Sequence, residues 1–358
     1  MKPRFHNLTI KDIRKETEDA VSIALEVPEE LKNAYLYQAG QHLNFKAIIN
    51  GEEVRRSYSI CTADFENELR VAIKMQPFGK FSTYANTELK TGDSVEVMTP
   101  SGVFTYSIDE NTAKSFLFFA GGSGVTPIMS HIKTILHKAP NSKVTLVYGN
   151  RGFNHIIFRE ELEHIKNEFM TRFDLIHVFN EEKIGVDLFE GLLNKEKVSE
   201  FKQTLFKETH YDEVFVCGPE PMIFAVKDVF EEAGMPSDNI HFELFSSPDD
   251  DKKSTATKSV SNTVAELTEM TVIMDDEQVV MAIKKDGPSI LDVAIEGGVD
   301  APYSCKGGVC STCKAKVLEG EAIMDKNYAL EEDELEQGYI LTCQAHPTTA
   351  KIIVSYDD

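Results

Sequence analysis

Residues 304–313 read SCKGGVCSTC, and this stretch decides which kind of domain ends the chain. Its three cysteines have the spacing C-x4-C-x2-C, and a fourth cysteine follows after 29 intervening residues. This is the ligand spacing of one class of [2Fe–2S] cluster, in which four thiolates hold two irons. We therefore predict a [2Fe–2S] cluster with the metal ligands Cys305, Cys310, Cys313 and Cys343.

Two glycines in this loop support the prediction. Gly307 and Gly308 permit the close backbone approach and the unusual dihedral angles that a loop around an inorganic core needs. Amides of such a loop can donate hydrogen bonds to the sulfurs. A structural zinc site is the simpler alternative, but zinc ligands usually come in two close pairs, and Cys343 has no CxxC partner. Four unrelated buried cysteines would not account for the spacing.

The cysteine loop belongs to a C-terminal segment, residues 264–358, which reads as a compact α+β domain. It begins with the alternating stretch TVIMDDEQVVMAIK, continues with the helical stretch SILDVAIEGG and ends with the strand KIIVSY. The preceding residues 247–263, SPDDDKKSTATKSVSNT, contain Val260 as their one large apolar residue. Because they are rich in Ser, Thr, Asp and Lys, we predict a flexible linker there.

The chain before the linker divides into two patterns. Residues 1–106 contain short alternating segments such as AVSIALEV and ELRVAIKM, separated by turn residues, which predicts an antiparallel β-barrel. In residues 107–246, buried strands such as SFLFFAGG and KVTLVYGN alternate with helical stretches such as PIMSHIKTILHK. That alternation is typical of an α/β doubly wound domain with a parallel sheet. We thus expect three domains and a linker.

Composition narrows the classes of partner and location. The formal net charge is −22, and an acidic surface repels nucleic acid and anionic membranes, so we expect neither as a partner. No apolar run approaches the roughly 18 residues of a membrane span, and the first 20 residues have no apolar signal region. We therefore expect a cytoplasmic protein without membrane insertion. In such a reducing compartment, clustered cysteines point to metal or redox chemistry.

Two short motifs in the barrel segment suit a flavin dinucleotide. The first is RSYS at 56–59, where Arg56 and Tyr58 share one strand face if the segment is extended. An aromatic ring matches a flavin face, and a cation matches a pyrophosphate. Taken alone, this stretch would be an ordinary half-exposed strand. The second motif, GKFS at 79–82, adds weight to the first.

Two further motifs lie in the α/β segment. The strand SFLFFA runs into GGSGVTP at 121–127, which differs from GxGxxG because Pro127 stands at the third glycine position. Such glycines let a backbone approach a phosphate, and we predict Thr126 as the N-cap and Pro127 as the first residue of the following helix. The strand EVFV runs into CGPEPM at 217–222. A small buried hydrophobic role is the alternative for Cys217.

These motifs give residues 1–246 a resemblance to the ferredoxin–NADP reductase superfamily. Residues 264–358 resemble a plant-type ferredoxin, a β-grasp-like fold, in ILDVAIEGGVDAPYSC and in YILTCQAHP. In this order the chain resembles oxygenase reductases of the phenylacetyl-CoA epoxidase type. The resemblance implies FAD, a [2Fe–2S] cluster and a nicotinamide nucleotide as cofactors. It implies catalytic positions at Ser59, Thr126, Cys217 and Glu243. It implies cofactor-binding positions at Arg56, Ser57, Tyr58, Ser59, Gly79, Phe81, Ser82, Gly121, Gly122, Gly124, Thr126, Pro127, Arg151, Cys217, Gly218, Pro219, Met222 and Phe245.

The choice between NADPH and NADH depends on the residues after the strand VTLVY. A carboxylate there favours the free ribose hydroxyl of NADH, whereas a cation favours the 2′-phosphate of NADPH. Arg151 is a cation at this place, which favours NADPH. A solvated loop arginine is the alternative.

The functional hypothesis is a reductase that passes electrons from NADPH through FAD and the cluster to an oxygenase component. Reductases of other ring or steroid hydroxylases, or of a hybrid cluster protein, are alternatives within this class. The other class is a non-catalytic scaffold with a degenerate flavin domain and a structural metal. Intact cysteine, RSYS, GGSGVTP and CGPEPM motifs argue against such decay.

Overall fold

The structure is a computed structural model that describes residues 4–245 and 267–357. The predicted linker at 247–263 lies outside the described residues. Contacts divide the chain into two compact units, one made of most of Phe5–Phe245 and one containing the C-terminal residues, and each is described by itself.

A six-stranded sheet with the strand order β4-β3-β6-β1-β2-β5 forms the first part of the chain. The pairs β1–β2, β1–β6, β2–β5 and β3–β6 are antiparallel, as the alternating pattern predicts. The strands are β1 (Phe5–Thr17), β2 (Ala20–Glu26), β3 (His42–Ile49), β4 (Glu52–Ser59), β5 (Leu69–Lys74) and β6 (Ser94–Met98), with helix α1 (Lys80–Thr87) and 3₁₀ helices at Glu29–Tyr35 and Asp64–Glu66.

The interior of this half-barrel is apolar. Side chains that alternate along the strands, among them Leu8, Ile23, Phe45 and Val97, are completely buried against one another. Helix α1 packs against the sheet through Phe81, which is buried in the same cluster. The sheet therefore holds the RSYS strand β4 and the α1 turn on a packed scaffold.

The following residues fold into a five-stranded parallel sheet with the order β11-β10-β7-β8-β9. Its strands are β7 (Ser115–Gly121), β8 (Lys143–Asn150), β9 (Phe173–Phe179), β10 (Glu213–Gly218) and β11 (Ile240–Leu244). Its helices are α2 (Val125–Lys138), α3 (Arg159–Glu168), α4 (Lys195–Gln203) and α5 (Glu220–Glu232), with 3₁₀ helices at Gly122–Gly124, Phe153–His155, Asp187–Phe189 and Ser237–Asn239.

The central strand β7 is buried along almost its whole length, because the sheet is covered by helices. Parallel strands end at the same edge, so the turns after β7, β8, β10 and β11 all lie at the carboxyl edge of this sheet. The doubly wound α/β prediction is confirmed, and its topology gathers the motifs at one place.

The predicted start of α2 is wrong by two residues. The helix begins at Val125 with Gly124 as N-cap, because the 3₁₀ turn Gly122–Gly124 leads directly into it. Thr126 is therefore the second helical residue, and its hydroxyl donates to the Ser123 carbonyl at 3.0 Å. Pro127 is tolerated as the third residue because the first four amides of a helix have no intrahelical partner.

The C-terminal unit is an α+β domain, as predicted. Its five-stranded sheet has the order β13-β12-β18-β14-β16, and β15 pairs with β17 in a small second sheet. The elements are β12 (Leu267–Met274), β13 (Glu277–Lys284), α6 (Ile290–Glu296), β14 (Lys314–Glu319), β15 (Ala322–Met324), α7 (Glu332–Glu336), β16 (Tyr339–Leu341), β17 (Ala345–Pro347) and β18 (Lys351–Ser355).

Helix α6 packs on this mixed sheet through Ile290, Leu291 and Ala294, all completely buried. Its N-cap Ser289 accepts a hydrogen bond from the Asp292 amide, which ends the preceding turn and starts the helix. Within residues 4–245 and 267–357, no helix is long and apolar enough to cross a membrane.

Candidate functional site

The four clustered cysteines form two pairs. All four side chains are buried. Cys305 is in hydrogen-bond contact with Cys310, and Cys313 is in hydrogen-bond contact with Cys343. The loop supplies three of these thiols, and the turn after β16 supplies the fourth.

This pairing tests which metal group the donors fit. Among the described residues, no group of three or more His, Cys, Asp or Glu side chains lies close enough together to hold a single metal ion. A structural zinc site needs all four ligands around one ion. A [2Fe–2S] core has two irons, so four thiolates divide between them two and two. The paired thiols therefore fit the two-iron group.

The loop turns its amides toward the sulfurs. Gly307 N lies 3.3 Å from Cys305 Sγ. The Cys310 thiol and the backbone amides of Gly307, Val309 and Cys310 donate hydrogen bonds that lower the pKa of Cys305, although burial acts against this. The thiolate, which is the form that binds metal, is thus favoured at this position.

Left-handed backbone conformations shape the loop. Gly308 has a φ of +78°, and a Cβ there would lie 2.9 Å from the Lys326 carbonyl oxygen, so this glycine is required. Two residues other than glycine, Lys306 and Ser311, also have positive φ values of 51° and 49°. The prediction of unusual dihedral angles applies to Gly308, whereas Gly307 is outside the left-handed region.

A hydroxyl chain that sequence reasoning missed supports the second cysteine pair. Tyr356 donates to Thr342 Oγ1 at 2.8 Å, and Thr342 donates to the Cys313 carbonyl at 2.9 Å. Thr342 is completely buried and immediately precedes Cys343. These hydroxyl hydrogen bonds therefore fix the backbone at Cys313 and next to Cys343. Their only sequence signal is the position of Thr342 next to a predicted ligand.

In the half-barrel, Tyr58 lies half-buried on β4 between two aromatic neighbours. Its ring centroid is 5.8 Å from that of Phe45 and 5.6 Å from that of Phe81. These contacts fix the ring while part of it stays accessible. Phe81 is itself 1% exposed, so its ring belongs to the core, and its backbone lies in the first turn of α1.

The turn before α1 is organised by Ser82. This hydroxyl accepts a hydrogen bond from the Gln76 amide at 3.1 Å and donates to the Gly79 carbonyl at 3.3 Å. A Cβ on Gly79 would lie 2.4 Å from Ser82 Oγ, so glycine is needed for this turn. Gly79 is the N-cap of α1, and the first-turn amides behind it have no intrahelical partner. Such a helix N-terminus attracts phosphate oxygens.

The carboxyl edge of the parallel sheet brings Ser59, Cys217 and Glu243 together. Ser59 Oγ lies 3.0 Å from Glu243 Oε2, and Cys217 is the register partner of Glu243 on the neighbouring strand. Burial raises the pKa of Glu243 to about 8, although the Ser59 hydrogen bond acts in the opposite direction. Burial also raises the pKa of the Cys217 thiol, which is completely enclosed. Neutral side chains therefore line this point at neutral pH.

Two glycines of GGSGVTP are explained by packing between loops. A Cβ on Gly124 would lie 2.1 Å from the Cys217 carbonyl oxygen, and a Cβ on Gly121 would lie 2.6 Å from Pro219 Cδ. These glycines let the turn after β7 lie against the turn after β10. Through this contact, Thr126 in the first turn of α2 joins the residues around Cys217.

Gly122 and the turn after β10 complete this edge. Gly122 has a φ of +53°, and the atom nearest to a Cβ there would be Lys74 Nζ at 3.7 Å. Gly218 has a φ of +159° and lies against Met222, whose methyl group would be 2.6 Å from a Cβ on Gly218. The backbone is thus accessible at Gly122 and closely packed at Gly218.

Arg151 does not stand alone in a solvated loop. Its guanidinium pairs with Asp19 Oδ2 at 2.7 Å, and Lys74 Nζ lies 3.9 Å from the same oxygen. The sequence does not mark Asp19 or Lys74 as site residues, because neither lies in a motif. Of the other predicted positions, Arg56 and Ser57 are half-buried on β4, and Phe245, directly after β11, is 46% exposed.

Three features together define a class of protein. The half-barrel holds a fixed aromatic ring beside a helix N-terminus, and the parallel sheet has an edge lined with glycines. The C-terminal domain has four thiols in two pairs. This class is that of pyridine-nucleotide-dependent flavoprotein reductases that carry an iron–sulfur centre. The sequence matches the oxidoreductase FAD-binding domain over residues 7–106, the oxidoreductase NAD-binding domain over 118–228 and the 2Fe-2S iron-sulfur cluster binding domain over 272–348.

Full-length relatives support the same class. The chain is 40% identical to a subunit of the 1,2-phenylacetyl-CoA epoxidase of Escherichia coli (strain K12), over 99% of this chain and 98% of that one. It is 32% identical to the ferredoxin reductase component of 3-ketosteroid-9-alpha-monooxygenase of Rhodococcus rhodochrous, over 98% and 96%. The chain therefore belongs to the family of oxygenase reductase components with FAD-binding, NAD-binding and [2Fe–2S] domains.

Solved structures agree with this assignment. Phthalate dioxygenase reductase has a TM-score of 0.58 and 26% identity, and the match covers 98% of each chain. An intact type IV self-sufficient cytochrome P450 monooxygenase has a TM-score of 0.69 at 21% identity, covering 98% of this chain and 41% of that one, which is a likeness of fold alone. The protein is an NAD(P)H-dependent oxidoreductase of the electron-transfer type.

Proposed function

We propose that this chain takes an electron pair from NADPH and delivers single electrons to an oxygenase component. When bound, NADPH supplies a hydride, FAD accepts it and exchanges electrons singly, and the [2Fe–2S] cluster carries one electron at a time. The observation that carries the proposal is the meeting of Ser59, Cys217 and Glu243 at the carboxyl edge of the parallel sheet, beside the RSYS strand.

In the barrel, Tyr58 binds the flavin ring by stacking, since its ring is fixed by Phe45 and Phe81 and remains partly accessible. Arg56 and the α1 amides bind the pyrophosphate. Gly79 and Ser82 shape that turn. The Ser82 hydroxyl is engaged with the backbone, which favours a supporting role for it over direct contact with a phosphate.

At the sheet edge, Ser59 and Glu243 hold a neutral, hydrogen-bonded environment beside the reacting flavin edge. Thr126 and Cys217 position the nicotinamide ring, and Cys217 acts by its shape, since burial keeps its thiol protonated. Hydride transfer depends on such positioning more than on acid–base chemistry. In the C-terminal domain, Cys305 and Cys310 would hold one iron, and Cys313 and Cys343 would hold the other.

The ionisation of Glu243 gives this proposal a pH signature. We expect the rate of flavin reduction by NADPH to fall as the pH rises through about 8, because the carboxyl is neutral below its pKa and an anion above it. An anion there opposes the arrival of negative charge. Anaerobic stopped-flow absorbance measures the rate across this pH range.

Two variants serve as matched controls for the pH profile. Ser59→Ala removes the hydrogen bond that lowers the pKa of Glu243, so the inflection should move to higher pH. Glu243→Gln cannot ionise and should show no inflection there. An inflection that stays in place in both variants would assign the titration to another group.

For the nucleotide, we propose NADPH, with Arg151 as the ligand of its 2′-phosphate. Arg151→Gln should lower kcat/KM for NADPH about 10-fold or more, since a hydrogen bond to a charged group is worth about 1.5–3 kcal/mol. The same ratio for NADH should change little. Steady-state ferricyanide reduction with each nucleotide measures both. Equal losses with the two nucleotides would exclude this role.

One observation favours NADH as the second candidate. Arg151 is already paired with Asp19, and the backbone amides of Glu181 and Glu182 both bond to the Arg151 carbonyl, which brings acidic residues to the same turn. A carboxylate beside the adenosine ribose suits a free 2′-hydroxyl. A wild-type preference for NADH in kcat/KM would decide for this candidate.

For the acceptor, we propose an oxygenase component of the phenylacetyl-CoA epoxidase type. The support is the 40% identity along the whole chain to the Escherichia coli epoxidase protein, compared with 32% to a 3-ketosteroid-9-alpha-monooxygenase reductase. The test is reconstitution with each oxygenase component, following NADPH consumption coupled to product. Coupling with the steroid enzyme alone would favour a ring or steroid hydroxylase partner.

We also propose the domain limits and the location. The barrel spans residues 1–106, the nucleotide domain 107–246 and the [2Fe–2S] domain 264–358, after a linker at 247–263. A cytoplasmic location is supported by the clustering of four of the six cysteines with metal-ligand spacing, since a reducing compartment keeps such thiols available for a metal.

A further inference from the structure

A three-residue ion cluster joins the half-barrel to the parallel sheet. Asp19 lies in the turn between β1 and β2, Lys74 ends β5, and Arg151 follows β8. Asp19 Oδ2 lies 2.7 Å from Arg151 Nη2 and 3.9 Å from Lys74 Nζ. The Thr17 hydroxyl donates to the other Asp19 oxygen at 2.8 Å and holds the carboxylate in place.

The cluster has more positive than negative charge, although the chain as a whole carries −22. Two cations share one carboxylate, and Glu181 acts on Lys74 only at longer range. The Lys74 side chain is 18% exposed, and burial lowers the pKa of its ammonium group. At 3.9 Å its contact with Asp19 is longer than a hydrogen bond. Lys74 is therefore a poorly hydrated cation with a weakly held counter-ion.

The position of the cluster points to a nucleotide phosphate. Lys74 Nζ would lie 3.7 Å from a Cβ on Gly122, the residue of the GGSGVTP turn whose backbone is accessible. Next to Arg151, the side chain of Asn150 is buried and in hydrogen-bond contact with the Tyr148 hydroxyl, which donates to the Gly122 carbonyl at 3.0 Å. The turn that carries Arg151 is thus connected to the accessible Gly122 backbone. The two cations therefore lie at the edge that receives nucleotides in such sheets.

We propose that Lys74 and Arg151 form a receptor for a phosphate group of the nicotinamide nucleotide, and that Asp19 occupies this receptor until the nucleotide displaces it. This rests on the proposed function and adds a regulator of nucleotide affinity to it. The carboxylate stands in for the phosphate, since both are anions that bind guanidinium groups in a bidentate manner. In this proposal, Asp19 weakens nucleotide binding because it competes with the phosphate for the two cations. If Asp19 only oriented Arg151, it would strengthen nucleotide binding instead.

The test measures nucleotide binding to the FAD-loaded, oxidised protein. Asp19→Asn keeps the size of the side chain and removes the competing charge. Its dissociation constant for NADP⁺ should fall about fivefold, as expected when a partly exposed ion pair worth up to about 1 kcal/mol no longer competes. The salt dependence of binding should become steeper, because both cations are then free to bind the phosphate. Isothermal titration calorimetry at two salt concentrations measures both quantities.

Asp64→Asn is the matched control. Asp64 pairs with Lys138 and likewise joins the half-barrel to the parallel-sheet part, and its cation is about as exposed as Arg151. It lies outside the cluster, so NADP⁺ affinity should not change. Titrations of wild type and Asp19→Asn with 2′,5′-ADP and 5′-AMP identify the phosphate group. If the variant gains affinity for 2′,5′-ADP alone, the receptor binds the 2′-phosphate. If both proteins bind the two fragments equally well, and the variant gains affinity for NAD⁺ as well as NADP⁺, the receptor binds the pyrophosphate.

Weaker NADP⁺ binding by Asp19→Asn, or an affinity equal to that of Asp64→Asn, would overturn the proposal. Failure of the underlying function looks different, since neither NADPH nor NADH would then reduce the bound flavin of the wild-type protein. A wild type that is reduced by NADPH while Asp19→Asn behaves like Asp64→Asn rejects the receptor alone.

Discussion

Cys310→Ser should abolish electron delivery from the C-terminal domain and leave flavin reduction by NADPH intact. Cys310 is paired with Cys305, and the two would bind the same iron in our proposal, so its loss removes one of the four proposed ligands. Loss of a residue that merely supports a metal ligand commonly costs about 10–100-fold in metal affinity or activity, and loss of the ligand itself should cost more. Cytochrome c reduction measures delivery, and anaerobic stopped-flow absorbance measures flavin reduction.

Cys61→Ser is the matched control for this variant. Cys61 is also a buried free thiol, and its Sγ donates to the Arg70 carbonyl at 3.3 Å, a bond that serine can replace. Both activities should survive in this variant. If Cys310→Ser remains folded and loses flavin reduction together with cytochrome c reduction, the assignment of the two steps to two parts of the chain is wrong.

Gly124→Ala should damage both stability and flavin reduction. The added methyl group would lie 2.1 Å from the Cys217 carbonyl oxygen, and this neighbour is backbone, so the turns after β7 and β10 must move apart. Overpacking of this kind costs about 1–3 kcal/mol. Because Cys217 and Thr126 lie on the two displaced turns, the rate of flavin reduction by NADPH should fall at least about 10-fold. Chemical denaturation and anaerobic stopped-flow absorbance measure the two effects.

Gly185→Ala separates this packing effect from backbone strain. Gly185 has a φ of +82°, but no atom lies within 4 Å of a Cβ placed there. The Gly185→Ala variant should lose about 1 kcal/mol of folding stability, because alanine is strained in the left-handed conformation. Its rate of flavin reduction should not change. A Gly124→Ala protein as stable and as fast as wild type would show that the two turns do not depend on this close contact.

The sequence predicted the features that depend on local pattern. Alternation along strands such as β1 and β12 and the strand–helix alternation after residue 107 were enough for three fold classes, because each pattern reflects which faces are buried. The cysteine spacing predicted the metal group because four ligands around two irons restrict a short loop severely. The structure adds that the thiols divide into two pairs.

Features that depend on contacts between distant residues could not be predicted. The cofactor-binding role of Gly121 and Gly124 stays a prediction, but their packing against Pro219 and Cys217, which are far away in the chain, is known only from the fold. The N-cap at Thr126 was wrong because a 3₁₀ turn precedes the helix, and no residue type marks such a turn. Asp19 meets Lys74 and Arg151 only after both parts of the chain have folded.

The most direct test of the account is the analysis of iron and acid-labile sulfide in anaerobically purified protein, combined with its EPR spectrum after reduction by NADPH. We expect two irons and two sulfides per chain and the rhombic signal of one reduced [2Fe–2S] centre. Stoichiometric zinc, or iron without sulfide and without such a signal, would contradict the division of four thiolates between two irons on which electron delivery depends.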